Sequence, residues 1–463
     1  MNDTEIVGGK IWTGAGWMQG CLGLKNGRIS SLTAGPEPAR EVVRAEGLLV
    51  LPGLIDPHVH FDLGVGANLT ADGFGGGSRA AAFGGVTTVI DFLDPVKTAD
   101  QMTAAFETRS ALARSSCVDY SFHATLGNPT DPAEALVQAA LALGLPSLKV
   151  FTAYSSTDRR TDDRTIGLLL AAGSRVGTTV LVHAENESLM DVLPGTPVAR
   201  HEESRPALCE VTAVLTLAEL VRSTGGRLYV VHTNVGTTVE RLKALHPGLL
   251  GRTLFLETCP HYLLWDSARY SGPDGARFTM TPPLRSPEER KKLAAAFEVF
   301  DTLGTDHCAY NHQQKNQPTT DRIPMGIGGV EFLLPSLWGK FGDQCLPKLT
   351  ERTAKIYGMW PRKGSLMPGF DADVVLFDPK PRWRVQTHHG DADHTAWLGE
   401  SMKGCVVSTM LRGSFVVRNG EFLGGKGEFV ARRPALRGAE GLRRSRPRGS
   451  ATHTSRNQNR PPD

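Results

Sequence analysis

Eight short runs of apolar and β-branched residues alternate with stretches of helical composition between residues 53 and 310. The runs lie at residues 53–60, 86–92, 118–125, 147–153, 178–185, 227–233, 253–259 and 301–307. Because each pair of parallel strands needs a crossover connection, strands that alternate with helices form parallel sheets. Eight of them predict an α/β fold with a TIM-like (β/α)8 barrel. A doubly wound open sheet is the competing topology, but no G-x-G-x-x-G motif follows the first strand.

The two flanks of this region have a different pattern. "IVGGKIWTGAGWMQGCLGLKNGRISSLTAG" precedes it, and "DADVVLFDP" and "GCVVSTMLRGSFVVRNGEFLG" follow it. These are strand patterns broken by turn residues, with no helices between them. We expect residues 1–52 and 365–430 to form one small β-sandwich domain beside a barrel of residues 53–364.

The C-terminal segment 431–463 is rich in Arg, Pro, Gly and Ser and has little to bury, so we expect it to be disordered. It holds nine arginines against two acidic residues, a net charge of +7. The chain as a whole carries +3, which leaves about −4 for the folded part. That balance argues against a nucleic-acid-binding body.

Several features favour a cytoplasmic protein with no membrane association. No stretch reaches the roughly 18 consecutive apolar residues of a membrane span, and the N-terminus "MNDTEIVGGK" lacks the pattern of a signal peptide. The seven cysteines are widely spaced and include no C-x-x-C pair. An odd, scattered set of this kind indicates a reducing compartment rather than a disulfide framework.

Polar residues fall near the ends of several predicted barrel strands, where (β/α)8 enzymes build their active sites. They are His58, His60, Lys149, His183, His232 and Asp306. The H-x-H pair alone could equally be a polar patch or satisfied barrel residues, and His183 or His232 alone is more often a hydrogen-bonded core histidine than a ligand. Together, imidazoles and a carboxylate at one barrel mouth predict a site for zinc or a related divalent ion.

Lys149 lies in the apolar run "SLKVFTAY", where an isolated ammonium group is costly to bury. A carbamate formed from this lysine and CO₂ would be an anion able to bridge two metal ions. A plain lysine paired with a nearby acid is the alternative.

Nine stretches together resemble the amidohydrolase superfamily, and within it the cyclic amidohydrolases dihydropyrimidinase and hydantoinase. They are "LPGLIDPHVHF", "GGVTTVIDF", "SLKVFTAY", "VHAEN", "ESRP", "ETCPHYLL", "TPPLR", "GTDHC" and "MPGFDADVVLFDP". They extend over nearly the whole chain except the C-terminal segment. The resemblance implies metal-dependent hydrolysis of the cyclic amide of dihydropyrimidines or 5-substituted hydantoins to N-carbamoyl amino acids.

The resemblance also implies the roles of the metal ligands. His58 and His60 would hold one ion with Asp306, His183 and His232 would hold a second, and carboxylated Lys149 would bridge the two, which are expected to be Zn²⁺. Water activated between the ions would attack the ring carbonyl. Asp306 would take its proton and deliver it to the leaving nitrogen.

Three further residues are expected to contact the substrate. Tyr154 matches the tyrosine that stabilises the developing oxyanion in this family. The ring's amide edges would meet the main chain near Thr281 in "TPPLR" and Met325 in "IPMGIGG". Met325 stands where relatives have asparagine, so the shape of the preferred substrate is open.

Four alternatives remain at this point. Dihydroorotate is disfavoured, because Asp62 stands where dihydroorotases carry an arginine for the substrate carboxylate. Allantoin, another cyclic ureide, would use the same metals with a different rim. A mononuclear hydrolase would leave Lys149 unmodified, and a non-catalytic assembly protein of the same fold would have lost metal ligands. The resemblance further implies a homotetramer or homodimer.

Overall fold

The computed structural model describes residues 1–435, and an eight-stranded parallel sheet lies at its centre. In chain order its strands are β8 Leu54–Asp56, β11 Val86–Phe92, β12 Asp119–Thr125, β13 Ser147–Phe151, β14 Thr179–His183, β15 Arg227–Val230, β16 Leu254–Thr258 and β17 Thr302–Leu303. Each strand pairs with the next one in this order. The backbone N–H of His60 donates to the carbonyl of His307 at 2.7 Å, and this contact joins the first strand to the last. All eight predicted strands are present, and the predicted barrel is confirmed.

Helices surround this sheet. They are α1 Phe74–Phe83, α2 Ala99–Ala113, α3 Ala133–Ala142, α4 Asp163–Val176, α5 His201–Ser204, α6 Leu208–Thr224, α7 Gly236–Leu245, α8 Pro260–Leu264, α9 Pro287–Ala295, α10 His312–Lys315, α11 Leu333–Phe341, α12 Leu346–Leu349 and α13 Glu351–Ile356. Helix α4 shows how local chemistry sets the boundaries. Asp162 accepts a hydrogen bond from the Thr165 N–H at its start, and Gly177 adopts φ 79° at its end. An N-cap carboxylate and a left-handed glycine are the preferred termini of an α-helix.

Strands of the two flanks form two further sheets. These strands are β1 Asn2–Val7, β2 Lys10–Trp12, β3 Trp17–Gln19, β4 Cys21–Lys25, β5 Arg28–Thr33, β6 Ala39–Arg44, β7 Leu49–Pro52, β18 Val374–Arg384, β19 Ser401–Leu411, β20 Ser414–Arg418 and β21 Glu421–Phe422. The first sheet has the strand order β5–β4–β1–β6, and the second has the order β21–β20–β19–β18–β7–β2–β3. A short hairpin, β9 Gly64–Val65 and β10 Asn68–Leu69, lies between β8 and α1.

One apolar core is shared by the two flanking sheets, which is the arrangement of a β-sandwich. It includes Ile6 and Leu22 from the N-terminal flank and Phe370, Val374 and Met410 from the C-terminal flank. Strand β7 pairs with β18, so the two ends of the chain meet inside one sheet. The division at residues 52/53 and 364/365 is our proposal for the domain boundary.

The C-terminal end of the described chain packs against the barrel. Residues 431–435 belong to the segment expected to be disordered, yet Arg432 is buried. Its guanidinium donates to Ser121 Oγ at 2.9 Å, to Ser147 Oγ at 2.7 Å and to the Phe122 carbonyl. These contacts lie at the side of the barrel where the strands begin. The remainder of the expected disordered segment, residues 436–463, lies outside the described residues.

Among the helices of residues 1–435, none is both long enough and apolar enough to span a bilayer.

Candidate active site and metal centre

Three of the predicted ligands meet where β8 and β17 end. Asp306 Oδ1 lies 3.1 Å from His58 Nε2 and 3.1 Å from His60 Nε2. All three ligand atoms fall within 4.8 Å of one another. His58 donates from its other ring nitrogen, Nδ1, to Glu257 at 2.8 Å. Although burial opposes it, the carboxylates of Asp306 and Glu257 raise the pKa of His58 to about 9. Glu257 on the far nitrogen orients the ring, and a metal would displace the proton at Nε2.

The second pair of histidines stands at the ends of β14 and β15. His183 Nδ1 and His232 Nε2 are 3.0 Å apart. His183 Nε2 lies 2.8 Å from Glu185 Oε2, so this imidazole also has a carboxylate behind it. Burial lowers the pKa of His183 and holds that of His232 well below its usual value, so both rings are neutral. Neutral imidazole is the form that binds metal.

Lys149 lies on β13, between the two pairs along the barrel wall, and only 3% of its surface is exposed. Its Nζ lies 5.3 Å from the centres of the Phe92 and Phe151 rings. Burial lowers the pKa of Lys149 to about 8, against the opposing attraction of Asp306 and Glu257. A neutral amine is therefore accessible near neutral pH, and only the neutral form reacts with CO₂.

The donor set fits divalent metal ions. Four imidazole nitrogens and a carboxylate oxygen come from the ends of four strands, β8, β14, β15 and β17, and two of the imidazoles are oriented by buried carboxylates. Nitrogen and carboxylate ligands of this kind suit zinc and related ions.

Three residues of the site have left-handed backbone conformations. The φ angles are 75° at Tyr154, 40° at His232 and 50° at Asp306. Residues other than glycine pay an energetic penalty there, and such positions cluster at functional sites. Each one follows the end of a barrel strand, where the chain turns away from the sheet.

Tyr154 is at the centre of a small hydrogen-bond network beside His183. Its hydroxyl donates to Thr281 Oγ1 at 3.1 Å and accepts from Arg205 Nη2 at 3.3 Å. The hydroxyl also lies 3.2 Å from His183 Nε2. Burial raises the pKa of Tyr154 although Arg205 opposes this, so the phenol keeps its proton. A protonated phenol next to the metal ligands can donate to an oxyanion.

Met325 is half-buried and lies in a segment that runs alongside the end of β17. The Cys308 N–H donates to the Ile327 carbonyl at 2.9 Å. A Cβ on Gly326 would lie 2.7 Å from Cys308 Cβ, so the close approach of these two segments requires glycine. The segment around Met325 is thereby held near Asp306.

The chain is similar to known proteins over most of its length. The amidohydrolase family model matches residues 279–416. The D-hydantoinase of Geobacillus stearothermophilus is 34% identical over 456 residues, which cover 92% of this chain and 96% of that protein. A solved D-hydantoinase from Bacillus sp. AR9 has a TM-score of 0.88 at 33% identity and covers 93% of this chain and 99% of its own. A solved dihydropyrimidinase from Brevibacillus agri has a TM-score of 0.88 at 31% identity, covering 94% and 99%.

The chain belongs to the hydantoinase and dihydropyrimidinase family of cyclic amidohydrolases. It is therefore an enzyme that hydrolyses cyclic amide bonds. His58, His60 and Asp306 lie together at the ends of barrel strands and could hold a metal ion, and their role as metal ligands stays a prediction.

Three charged residues of this hydantoinase-family site were not singled out from the sequence. Glu257 accepts from His58 and from the backbone N–H of His232, and Glu185 accepts from His183 and from Arg205 at 2.6 Å. Both glutamates are fully buried. The signal that drew attention to Lys149, a charged residue inside an apolar strand, is also present for Glu257 in "LFLET".

Asp62, whose presence argues against dihydroorotate as the substrate, accepts a hydrogen bond from the backbone. Its Oδ2 accepts from the Phe74 N–H at 2.8 Å, at the start of α1. The carboxylate thus helps to fix the loop between β8 and α1 in this hydantoinase-family chain.

Proposed function

We propose that this enzyme opens the ring of dihydropyrimidines or 5-substituted hydantoins and releases N-carbamoyl amino acids. The observation that carries the proposal is the hydrogen bond between Tyr154 and Thr281 directly beside His183. It brings together the two residues expected to recognise a cyclic amide. The relatives named D-hydantoinase and dihydropyrimidinase support the same substrate class.

We further propose that two Zn²⁺ ions bind here and that a carboxylated Lys149 bridges them. Support comes from the two separate histidine pairs and from the buried lysine between them, whose pKa lies at about 8. When bound, the ions would supply Lewis acidity for the ring carbonyl and would make water acidic enough to attack at neutral pH.

The protein's own groups would complete the reaction. Asp306 is proposed to accept the proton of the attacking water and to return it to the leaving ring nitrogen. Tyr154 is proposed to donate its hydroxyl hydrogen to the carbonyl oxygen as negative charge develops there. Main-chain groups near Thr281 and Met325 are proposed to hold the amide edges of the ring.

The test is a substrate panel of dihydrouracil, hydantoin, a bulky 5-substituted hydantoin and allantoin, each with zinc-loaded protein and with chelated protein. We expect opening of dihydrouracil or a hydantoin, and loss of that activity on chelation. Allantoin as the single substrate opened would contradict the substrate class while leaving the chemistry intact. Activity that survives full removal of metal would contradict the metal-dependent mechanism.

Two further properties are proposed. We expect a homodimer or homotetramer in solution, and sedimentation velocity at two protein concentrations measures it. We also propose a cytoplasmic location, which is supported by seven cysteines that are all free within residues 1–435.

A further inference from the structure

Lys315, the last residue of α10, is a second buried lysine near the barrel mouth. Only 2% of its surface is exposed. Its Nζ donates to the Thr279 carbonyl and to Thr279 Oγ1, each at 2.7 Å. It also donates to the carbonyls of Pro324 at 3.0 Å and Gly326 at 3.1 Å.

These acceptors are unusual for a buried cation, because none of the four is a carboxylate. Burial lowers the pKa of Lys315 to about 7. A buried charge that is satisfied only by carbonyl and hydroxyl oxygens contributes less to stability than an apolar side chain of similar volume. A role beyond stability would explain why a cation occupies this position.

The acceptors belong to two separate segments of the site. Thr279 lies two residues before Thr281, whose hydroxyl accepts from Tyr154. Pro324 and Gly326 lie on either side of Met325. The two segments also meet directly, where the Gly326 N–H donates to the Thr279 carbonyl at 3.2 Å.

We propose that Lys315 is a positioning residue, whose Nζ holds residues 279–281 and 324–326 together by hydrogen bonds so that their main chains bind the substrate ring. Lys315 acts through these segments and makes no contact with the reacting atoms. The inference rests on the proposed function, because the two segments are the ones assigned to the ring's amide edges.

The substitution Lys315→Met removes the charge and keeps a side chain of similar length. We expect it to raise KM for the ring substrate about 10- to 100-fold, the range for lost hydrogen bonds to a charged group, with a smaller fall in kcat. Zinc content per chain should stay unchanged, since Lys315 contacts none of the proposed ligands. Thr279→Val, which removes one of the four acceptors, should raise KM less and serves if Lys315→Met does not fold.

Lys348 offers a matched control. It is also buried, at 3% exposure, and its Nζ bonds the carbonyls of Glu298 and Phe300 on the wall of the barrel. Lys348→Met should leave KM unchanged. An unchanged KM in Lys315→Met, or an equal rise in Lys348→Met, would overturn the positioning role.

Hydrogen exchange on the zinc-loaded proteins separates this inference from the proposed function. Lys315→Met should increase amide exchange in residues 279–281 and 324–328, whereas Lys348→Met should not. This readout does not depend on substrate. If the wild type opens none of the rings, the proposed function fails, and the exchange pattern alone still decides whether Lys315 joins the two segments.

Discussion

At the scale of single residues, the site combines groups that are unfavourable in isolation. Lys149 is a buried lysine, and Glu185 and Glu257 are fully buried carboxylates. Each becomes favourable only with partners of opposite charge or hydrogen-bond donors around it. Removal of one such group therefore affects its neighbours as well as itself.

The clearest case is Lys149→Ala. We expect this variant to lose most of its bound metal and to have roughly 100-fold lower activity, because the proposed carbamate bridge between the two histidine pairs is removed. Metal per chain is measured by inductively coupled plasma mass spectrometry on protein purified in zinc-containing buffer. Two ions per chain in the variant would contradict the bridging role.

Tyr154→Phe tests the proposed oxyanion donor. We expect kcat to fall about 10²- to 10³-fold, the usual effect of removing one such donor, with metal content unchanged. Tyr120→Phe is the control, because Tyr120 is a buried tyrosine at the start of β12, away from the ligands. Equal losses in both variants would show a general packing effect.

At the scale of elements, the short helix α5 positions one wall of the site. His201 on this helix donates from Nε2 to the Met280 carbonyl at 2.8 Å, next to Thr281. Burial lowers the pKa of His201 to about 4, so the ring is neutral in the folded protein. The backbone of residues 279–281 is thus held from two sides, by His201 and by Lys315.

The lowered pKa of His201 makes the stability of the folded protein depend on pH. Below about 6.5 the unfolded chain binds a proton at this histidine, whereas the folded protein binds it only near pH 4, so stability is lost as the pH falls through that window. The shift corresponds to about 3 kcal/mol. The His201→Gln variant has no titrating group at this position. As the pH falls from 7 to 4.5, the free energy of unfolding of the wild type should therefore fall more steeply than that of the variant, and the difference between the two proteins should narrow. Urea unfolding of the chelated proteins measures it, and parallel pH curves would contradict it.

Much of this organisation could be predicted from the sequence, because local sequence patterns indicate both the strands and the polar residues at their ends. All eight strands follow from apolar runs, and the proximity of the three predicted ligands His58, His60 and Asp306 follows from "HVH" and "GTDH" at strand ends. Glu185 and Arg205 could not be ranked in the same way, since their pairing depends on two chain segments folding against each other. The burial of Arg432 differs from the expected disorder of its segment, because an arginine in an Arg- and Pro-rich stretch has no local sign of burial.

At the scale of the whole molecule, a buried ionic cluster connects the barrel to the flanking sheets. Lys363 Nζ lies 2.5 Å from Asp119 Oδ2 on β12, 2.7 Å from Asp373 and 3.0 Å from Asp371. Arg412 in the C-terminal flank also pairs with Asp119. The three aspartates have the geometry of a metal site, but the ammonium group of Lys363 lies among their carboxylates.

Lys363→Met should be strongly destabilising, because it leaves three buried carboxylates with too little compensating charge. We expect a loss of about 3–5 kcal/mol in the free energy of unfolding, the usual cost of removing one partner from a buried ion pair. Lys380→Met, on an exposed part of β18, is the control and should change little. Chemical denaturation of both variants measures the difference, and equal midpoints would contradict the role of the cluster.

The contacts of residues 431–435 also determine the orientation in which the protein would be immobilised on a solid support through its C-terminal side. The Ala435 N–H donates to the carbonyl of Gly177, just before β14 begins, so this residue lies on the face opposite the metal ligands. A tether placed at residue 435 would leave the substrate entrance pointing away from a solid support. A chain that ended before Arg432 would lack this buried side chain. Water would then reach the end of the barrel where the strands begin.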